Sequence, residues 1–568
     1  MNVIWILGEG IRNYSGKDQY SRFKVMDQLA LEGIIFNNMV TSAPSTIMAQ
    51  SSMLTGQSST YLSRTFADFK YDSSKFSSLT KILKENDYHI YTALFHIEGC
   101  TLFKEMLPLL DQKHLPPKIK NDMFWTSEDV NLVLDHLLDQ KLLQEPFFLL
   151  LNYNNTSQED TNEIIERAIK RMKEKGIYDN SLFLFCPDHG HPDNPRNNTL
   201  GKPHGMVLTD ANILIPFFIR WPHCQQKVIN QPISTLDIVP TVLDLLNISA
   251  LKYDLEGTSL LPSIMGEADY SKTKFRVDTK YIFQEGRAIC IYSSEFKYIF
   301  HPDKPMNEGE EFFNLNRDPD EKDNQILSKE YAGKIKEFRE EFKKTEEELE
   351  NFHLNYLVEK FKQKFSSFLN QSFLNQNNSR PSKVLLLGLG HSLFLQSIFQ
   401  ALNESFTNPD IGVVIESESI LEKIGVRDKV NFYQMNLEQK QYDHTKSYAN
   451  QLKNPFFSKY SGKVSINYKS INYHDLLNKH PDLLNQNYDL VIAPLDNPYG
   501  VGHQTLVQLI KQLKTKKVMY VDYNVNTKKP TNWFWGGLRL VYLKKNYYLR
   551  DTKRLLMEVR RYLKDVVY

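Results

Sequence analysis

No apolar run in the 568 residues approaches the roughly 18 that a membrane-spanning helix requires, and none is expected. Cysteine is scarce. The four present, Cys100, Cys186, Cys224 and Cys290, are too scattered for a disulfide framework or a thiolate metal site. Such usage fits a reducing compartment. An excess charge of either sign is also missing. Lys and Arg number 69 against 68 Asp and Glu, leaving a net charge of +1. This gives no electrostatic argument for nucleic acid or an anionic membrane as partner. Residues 1–7 are too short and too uncharged for a signal peptide, so a cytoplasmic protein is expected. No internal repeat links the two halves.

What is present reads as a globular protein, with 24% charged and 41% hydrophobic residues. The length suggests roughly two to four domains. Residues 2–7 (NVIWIL) form a continuous apolar, β-rich run, as a central parallel strand covered on both faces requires. The run ends in Gly8-Glu9-Gly10. Ligands of open α/β sheets collect at the carboxyl ends of such strands, and Glu9 stands there. A helix over 25–32 and a strand over 34–40 follow. A helix is predicted over 76–85 and a strand over 89–95, leading to His96. Helices over 127–143 and 161–175 alternate with buried strands over 146–153 (PFFLLLNY) and 181–186 (SLFLFC). The alternation predicts a largely parallel, doubly wound sheet.

The chain is organised around residues 41–56, TSAPSTIMAQSSMLTG. Thr46 precedes a run of small residues that can begin a helix. A helix N-terminus offers unpaired N–H groups and partial positive charge, suited to an anionic ester and to an attacking hydroxyl. After the 181–186 strand comes Asp188-His189-Gly190-His191. An adjacent carboxylate and imidazole can both ligate one divalent ion, and suit zinc or manganese better than calcium. Lys202-Pro203-His204 follows on a polar loop. Its Lys and His can neutralise substrate oxygens or protonate a leaving group.

In their order along the chain these segments resemble the sulfatase-like branch of the alkaline phosphatase superfamily, over residues 1–325. VIWILGEGIR (3–12) is similar to the family's first strand and first metal ligand. LALEGIIFNNMVTSAPSTIMAQSSMLTG (29–56) is similar to its nucleophile segment. YDNSLFLFCPDHG (178–190) resembles the second metal motif, and GKPHG (201–205) the substrate-side lysine and histidine. ILIPFFIRWP (213–222), STLDIVPTVLDLLNI (234–248), LEGTSLLPSIMGE (255–267) and FFNLNRDPDEKDN (312–324) match later landmarks.

Departures from the family pattern are informative. Sulfatases use a formylglycine made from Cys or Ser in a C/S-x-P-S-R motif. Alignment on MLTG puts Thr46 at that position, with Met48, Ala49 and Gln50 in place of P, S and R. Threonine cannot be oxidised to the aldehyde, and the resemblance shifts to Thr-nucleophile phosphoethanolamine and phosphoglycerol transferases. The resemblance implies a single divalent ion, zinc or manganese, at Glu9, Thr46, Asp188 and His189. It implies catalytic roles for Thr46, Lys202, His204 and His96. A substrate histidine expected after PFFLLLNY is missing, with NNTS (154–157) in its place. A phosphate-ester small molecule, a lipid headgroup or a glycan is the implied substrate. Hydrolysis and transfer differ only in whether water or another hydroxyl resolves the Thr46 ester, and the motif does not separate them. A sulfuric ester hydrolase and a catalytically silent binding or scaffold protein stay open as alternatives.

Residues 327–382 read as a charged helical connector, after a sulfatase-like domain over 1–326. A second α/β pattern occupies 383–568. VLLLGLGHS (384–392) is a strand with a Gly-x-Gly turn, and IGVVIESES (411–419) a strand ending in an acidic residue. Later strands are YDLVIAP (488–494) and KKVMYVDYN (516–524). This resembles a Rossmann-like methyltransferase fold, which implies Gly388, Gly390 and Glu416 as contacts for a nucleotide or S-adenosylmethionine. GLGHS lacks the usual third glycine. Tyr523 stands where the RNA uracil-5-methyltransferases carry their nucleophilic cysteine.

Overall fold

The computed structural model describes residues 1–10, 24–62, 75–93, 127–153, 158–191, 204–372 and 382–521, apart from short stretches. The stretches set aside are 268, 271–272, 281–285, 303, 306–307, 389–391, 407–408, 416, 424, 436, 444–464, 472 and 495–503. The chain divides into two compact units, Met1–Glu346 and Glu347–Tyr568.

The first unit is built on β1 (Asn2–Gly8), β2 (Ile34–Val40), β3 (His89–Ala93), β4 (Phe147–Tyr153), β5 (Ser181–Pro187), β6 (Leu214–Arg220), β7 (Lys227–Ile229) and β8 (Ile233–Ser234). The strand order is β3-β4-β1-β5-β6-β2-β7, with β8 beside β2. β3, β4, β1 and β5 are mutually parallel. β1 lies between β4 and β5, and all seven of its residues are buried, which accounts for its unbroken apolar run. β4 and β5 are buried throughout for the same reason. β6 is the exception to parallel pairing, running antiparallel to both β5 and β2. Ile4, Ile6, Leu149, Leu151, Phe183 and Phe185 meet Val130, Leu134, Ile165 and Met172 from helices Ser127–Asp139 and Gln158–Glu174.

A feature the sequence reading did not anticipate follows in the same unit. β9 (Phe275–Asp278), β10 (Ile289–Tyr292), β11 (Phe296–Phe300) and β12 (Glu310–Asn314) form a four-stranded antiparallel sheet. Tyr298 and Phe312 pack against Ile335 and Phe338 near the start of helix Ala332–Ser372.

The second unit holds β13 (Lys383–Leu387), β14 (Asp410–Ile415), β15 (Asn431–Gln434), β16 (Leu437–Asp443), β17 (Ser465–Ile471), β18 (Asn487–Pro494) and β19 (Lys514–Val521). Five of these form a parallel sheet in the order β15-β14-β13-β18-β19, while β16 and β17 pair antiparallel. Leu357, Phe361 and Phe365 of the long helix pack in the core with Val384, Leu386 and Ile398. Among the described residues no helix is long and apolar enough to cross a membrane.

Candidate active site

The site begins with strand register. Gly8 pairs with Pro187 at the carboxyl ends of β1 and β5, and the Asp188 N–H donates to the Gly8 carbonyl at 3.0 Å. Glu9 and Asp188 therefore leave two adjacent parallel strands at one sheet edge. β2 delivers the third component. Its continuation is held by the Thr41 N–H donating to the Ile213 carbonyl at 2.9 Å. The Thr41 hydroxyl donates to the Asp188 carbonyl at 2.8 Å. The Asp278 N–H, from β9, donates to the Ser42 carbonyl at 3.1 Å, so the small sheet braces the same loop.

Helix Thr46–Thr55 follows, with Ser45 extended at its N-cap and Gly56 in the left-handed conformation (φ 66°) at its C-cap. Residues Met48 to Thr55 are all buried. The hydroxyls this places in the interior bond the helix's own carbonyls. Ser52 Oγ donates to Met48 O at 2.9 Å and Thr55 Oγ1 to Ser51 O at 2.7 Å. A helix rich in small residues is thus buried without leaving those hydroxyls unpaired.

Thr46 opens this helix. Its hydroxyl donates to Glu9 Oε1 at 3.2 Å and lies 3.3 Å from His189 Nε2. The other ring nitrogen of His189, Nδ1, is 2.7 Å from the Gly190 carbonyl. A carbonyl only accepts, so Nδ1 carries a proton, and the single Thr46 hydroxyl proton serves Glu9 Oε1 or His189 Nε2 but not both at once. Asp188 is fully buried. Its Oδ1 accepts from the N–H groups of Gly10 (3.2 Å) and His189 (2.8 Å), and its Oδ2 accepts from Gln50 Nε2 at 3.2 Å. Burial and then the charge of Asp188 push the Glu9 carboxyl up to about 8, against the pull of the Thr46 hydrogen bond. Among the described residues Glu9 Oε2 is buried and without a hydrogen-bond partner.

The structure therefore brings Glu9, Thr46, Asp188 and His189 together. The other sequence candidates stand differently. His204 begins a 3-10 turn, His204–Met206, and its side chain lies outside the described residues. A side-chain carbon added to Gly205 would meet Ser45 Cβ at 3.4 Å, so this turn lies against the residue preceding Thr46. His96 and Lys202 lie outside the described residues, as do Gly390, Glu416 and Tyr523. Gly388 follows β13, and a Cβ there would fall 2.8 Å from the Val414 carbonyl. Close packing against β14 is enough to require glycine at that position.

Residues that sequence reasoning left without a role join the site. Gln50 lies one helical turn after Thr46, and its Oε1 accepts from Asn152 Nδ2 at 3.1 Å. The four-residue spacing on one helix was the available signal for Gln50. Nothing local in PFFLLLNY marks Asn152.

Among the described residues no three or more His, Cys, Asp or Glu form a group that could hold a metal ion. The Thr46 hydroxyl is what links Glu9 to His189. With it the donors are two carboxylates, an imidazole nitrogen and a hydroxyl, a chemistry suited to a borderline divalent ion. The unpartnered buried Glu9 Oε2 is the atom such an ion would satisfy. In their chemistry these residues fit the group.

The carboxyl edge of this α/β sheet thus carries a helix-start hydroxyl between a carboxylate and an imidazole. The sulfatase family profile matches residues 1–156 and 149–248, and a profile for the C-terminal part of N-sulphoglucosamine sulphohydrolase matches 206–348. Residues 1–248 are thus similar to the sulfatase family. Members of that family are hydrolases or transferases and generally use a divalent metal ion. Lipoteichoic acid synthase of Staphylococcus aureus (strain USA300) is 31% identical over 103 residues, which is 17% of this chain and 16% of that protein. The match thus spans about a sixth of that relative's length. Two solved structures share the fold. One, from Bacteroides thetaiotaomicron and assigned to the sulfatases, has a TM-score of 0.50 at 14% identity, covering 61% of this chain and 92% of its own. The other, a 2-O GAG sulfatase, has a TM-score of 0.50 at 15% identity with the same coverage.

Proposed function

We propose that the chain is a metal-dependent hydrolase or transferase of phosphodiesters, acting on a small phosphate ester, a lipid headgroup or a phosphoglycan through a phospho-Thr46 intermediate. The observation that carries this reading is the Thr46 hydroxyl at the start of a buried helix, between Glu9 Oε1 and His189 Nε2. A threonine in that position supports phosphate over sulfate chemistry, because it has no route to formylglycine. The similarity to a lipoteichoic acid synthase supports the same substrate class.

Glu9, Thr46, Asp188 and His189 would hold one divalent ion, zinc or manganese. When bound, it lowers the pKa of the hydroxyl and screens the charge of the phosphate. Thr46 Oγ1 attacks phosphorus. The Oγ1–P bond forms, the bond from phosphorus to the leaving oxygen breaks, and the hydroxyl proton is released to water. His204 or His96 gives a proton to the departing alkoxide, and Lys202 pairs with a non-bridging oxygen. Water or an acceptor hydroxyl then attacks phosphorus and releases Thr46.

For the second unit we infer a nucleotide or S-adenosylmethionine at the carboxyl ends of β13 and β14. Support comes from the parallel order β15-β14-β13-β18-β19, in which connections reverse direction between β13 and β18. Calorimetry with added S-adenosylmethionine is its test.

The catalytic reading is tested by turnover of nitrophenyl phosphodiester, phosphomonoester and sulfate substrates with manganese or zinc. Thr46→Ala should lose essentially all phosphodiester turnover while keeping its melting temperature, and phosphate should be found on Thr46 of the wild-type protein. Normal turnover by Thr46→Ala would sink the proposal. Sulfate turnover exceeding phosphodiester turnover would replace it with a sulfatase.

A further inference from the structure

The donors on Asp188 are all neutral. Oδ1 takes two backbone N–H groups and Oδ2 takes the Gln50 amide. Among the described residues no lysine or arginine contacts this fully buried carboxylate. His189 Nε2 lies 3.7 Å from its Oδ1. An amide in contact with a carboxylate fixes its direction without cancelling its charge. A cation in that place would do both, and would compete with any bound metal.

The direction of the amide is itself determined. Carboxylate oxygens only accept, so Gln50 must turn Nε2 toward Asp188. Its Oε1 then faces Asn152, which must turn Nδ2 toward Gln50 at 3.1 Å. Reversing either amide opposes two acceptors in a dry interior, where unpaired polar groups are costly. Gln50 is 1% exposed and Asn152 is fully buried. Among the described residues the Asn152 side chain bonds Gln50, and its Oδ1 has no partner. The two amides thus act in series. Asn152 orients Gln50, and Gln50 orients Asp188. Gln50 also sits one turn from Thr46 on the same helix, so one rigid element places both the hydroxyl and the carboxylate.

We propose that Gln50 and Asn152 are positioning residues that form a neutral amide relay behind Asp188, holding it aligned for a divalent cation. This rests on Asp188 being a metal donor. Groups that orient metal ligands commonly contribute about ten- to a hundredfold to metal affinity.

The test is manganese titration calorimetry on the chelator-treated full chain, with melting temperatures of the metal-free proteins recorded alongside. Wild type should bind, and Asp188→Ala should not. Gln50→Met, similar in length and suited to a helix, should bind about tenfold more weakly. Asn152→Ala should bind more weakly than wild type, and Gln50→Met/Asn152→Ala no more weakly than Gln50→Met alone, because the members act in series. Metal-free melting temperatures close to wild type separate this from general loosening. If Gln50→Met does not fold, Asn152→Ala carries the same expectation. Wild-type affinity in both single variants, or losses that add in the double variant, would overturn the relay alone. Absent wild-type binding, or binding retained by Asp188→Ala, would overturn the metal assignment and the relay with it.

Discussion

Gly190 has no room for a side chain. A Cβ there would lie 2.1 Å from the Ala211 carbonyl and 2.9 Å from Asn212 Cα, both backbone atoms that cannot swing away. The Gly190 N–H meanwhile donates to the Asn212 carbonyl at 2.9 Å, and its own carbonyl receives the His189 Nδ1 proton. Gly190→Ala must therefore push the 211–212 backbone away and disturb the histidine that faces Thr46. We expect it to cost on the order of 3 kcal/mol, as overpacking against rigid backbone does, read as a fall in melting temperature. Unchanged melting would show that the segment yields freely. At this scale Asp188 and His189 were legible from their place after a buried strand. The need for glycine at 190 was not, since the obstructing atoms come from a segment beyond the next loop.

At the scale of elements, the small antiparallel sheet braces the eight-stranded sheet through buried charge. Lys297, on β11, is fully buried in its side chain and contacts Asp210, Glu321 and the Leu208 carbonyl. Glu321 Oε1 also accepts the Asp210 N–H at 2.8 Å. Tyr292 lies beside the lysine, its ring centroid 5.8 Å from Nζ. One lysine balances one of the two carboxylates. Burial, with repulsion from Asp210 added and the attraction of Lys297 opposing, pushes Glu321 up to about 8. A carboxyl raised on folding binds more protons folded than unfolded. Its contribution is fully present below about 4.5 and is lost as pH rises through about 8. Glu321→Gln resembles the protonated form at every pH. Wild type should therefore lose melting temperature relative to Glu321→Gln between pH 5 and 8. A difference that stays constant over that range would mean Glu321 is ionised throughout. The DPDEKDN segment was visible in the sequence as a late landmark. The lysine it meets could not be, because β11 and this loop come together only when the sheet forms.

On the scale of the whole molecule, two units with separate cores predict two calorimetric unfolding transitions. A ligand that binds only the native state of one unit raises that unit's transition by mass action. Manganese at a hundredfold over its dissociation constant should stabilise one transition by about 2.7 kcal/mol, with chelator reversing the shift and Asp188→Ala abolishing it. S-adenosylmethionine should raise the other. Manganese moving both transitions, or neither, would contradict the placement of the ion at Glu9, Thr46, Asp188 and His189. No rise with S-adenosylmethionine at millimolar concentration would remove the cofactor inferred for the second unit.

The sequence by itself determined the alternating α/β architecture, because buried parallel strands must be continuously apolar and NVIWIL, PFFLLLNY and SLFLFC are. It also marked Glu9, Thr46, Asp188 and His189, since strand ends and helix starts are where chemistry can be exposed on a packed sheet. Tertiary structure decided what surrounds them. The antiparallel course of β6, the small sheet over 275–314, the tie from Asp278 to Ser42 and the amides of Gln50 and Asn152 join residues tens to hundreds of positions apart. Local pattern records a residue's own burial and backbone preference. It does not record the partner that a distant strand brings to it, and in this protein those partners surround Asp188 and Thr46.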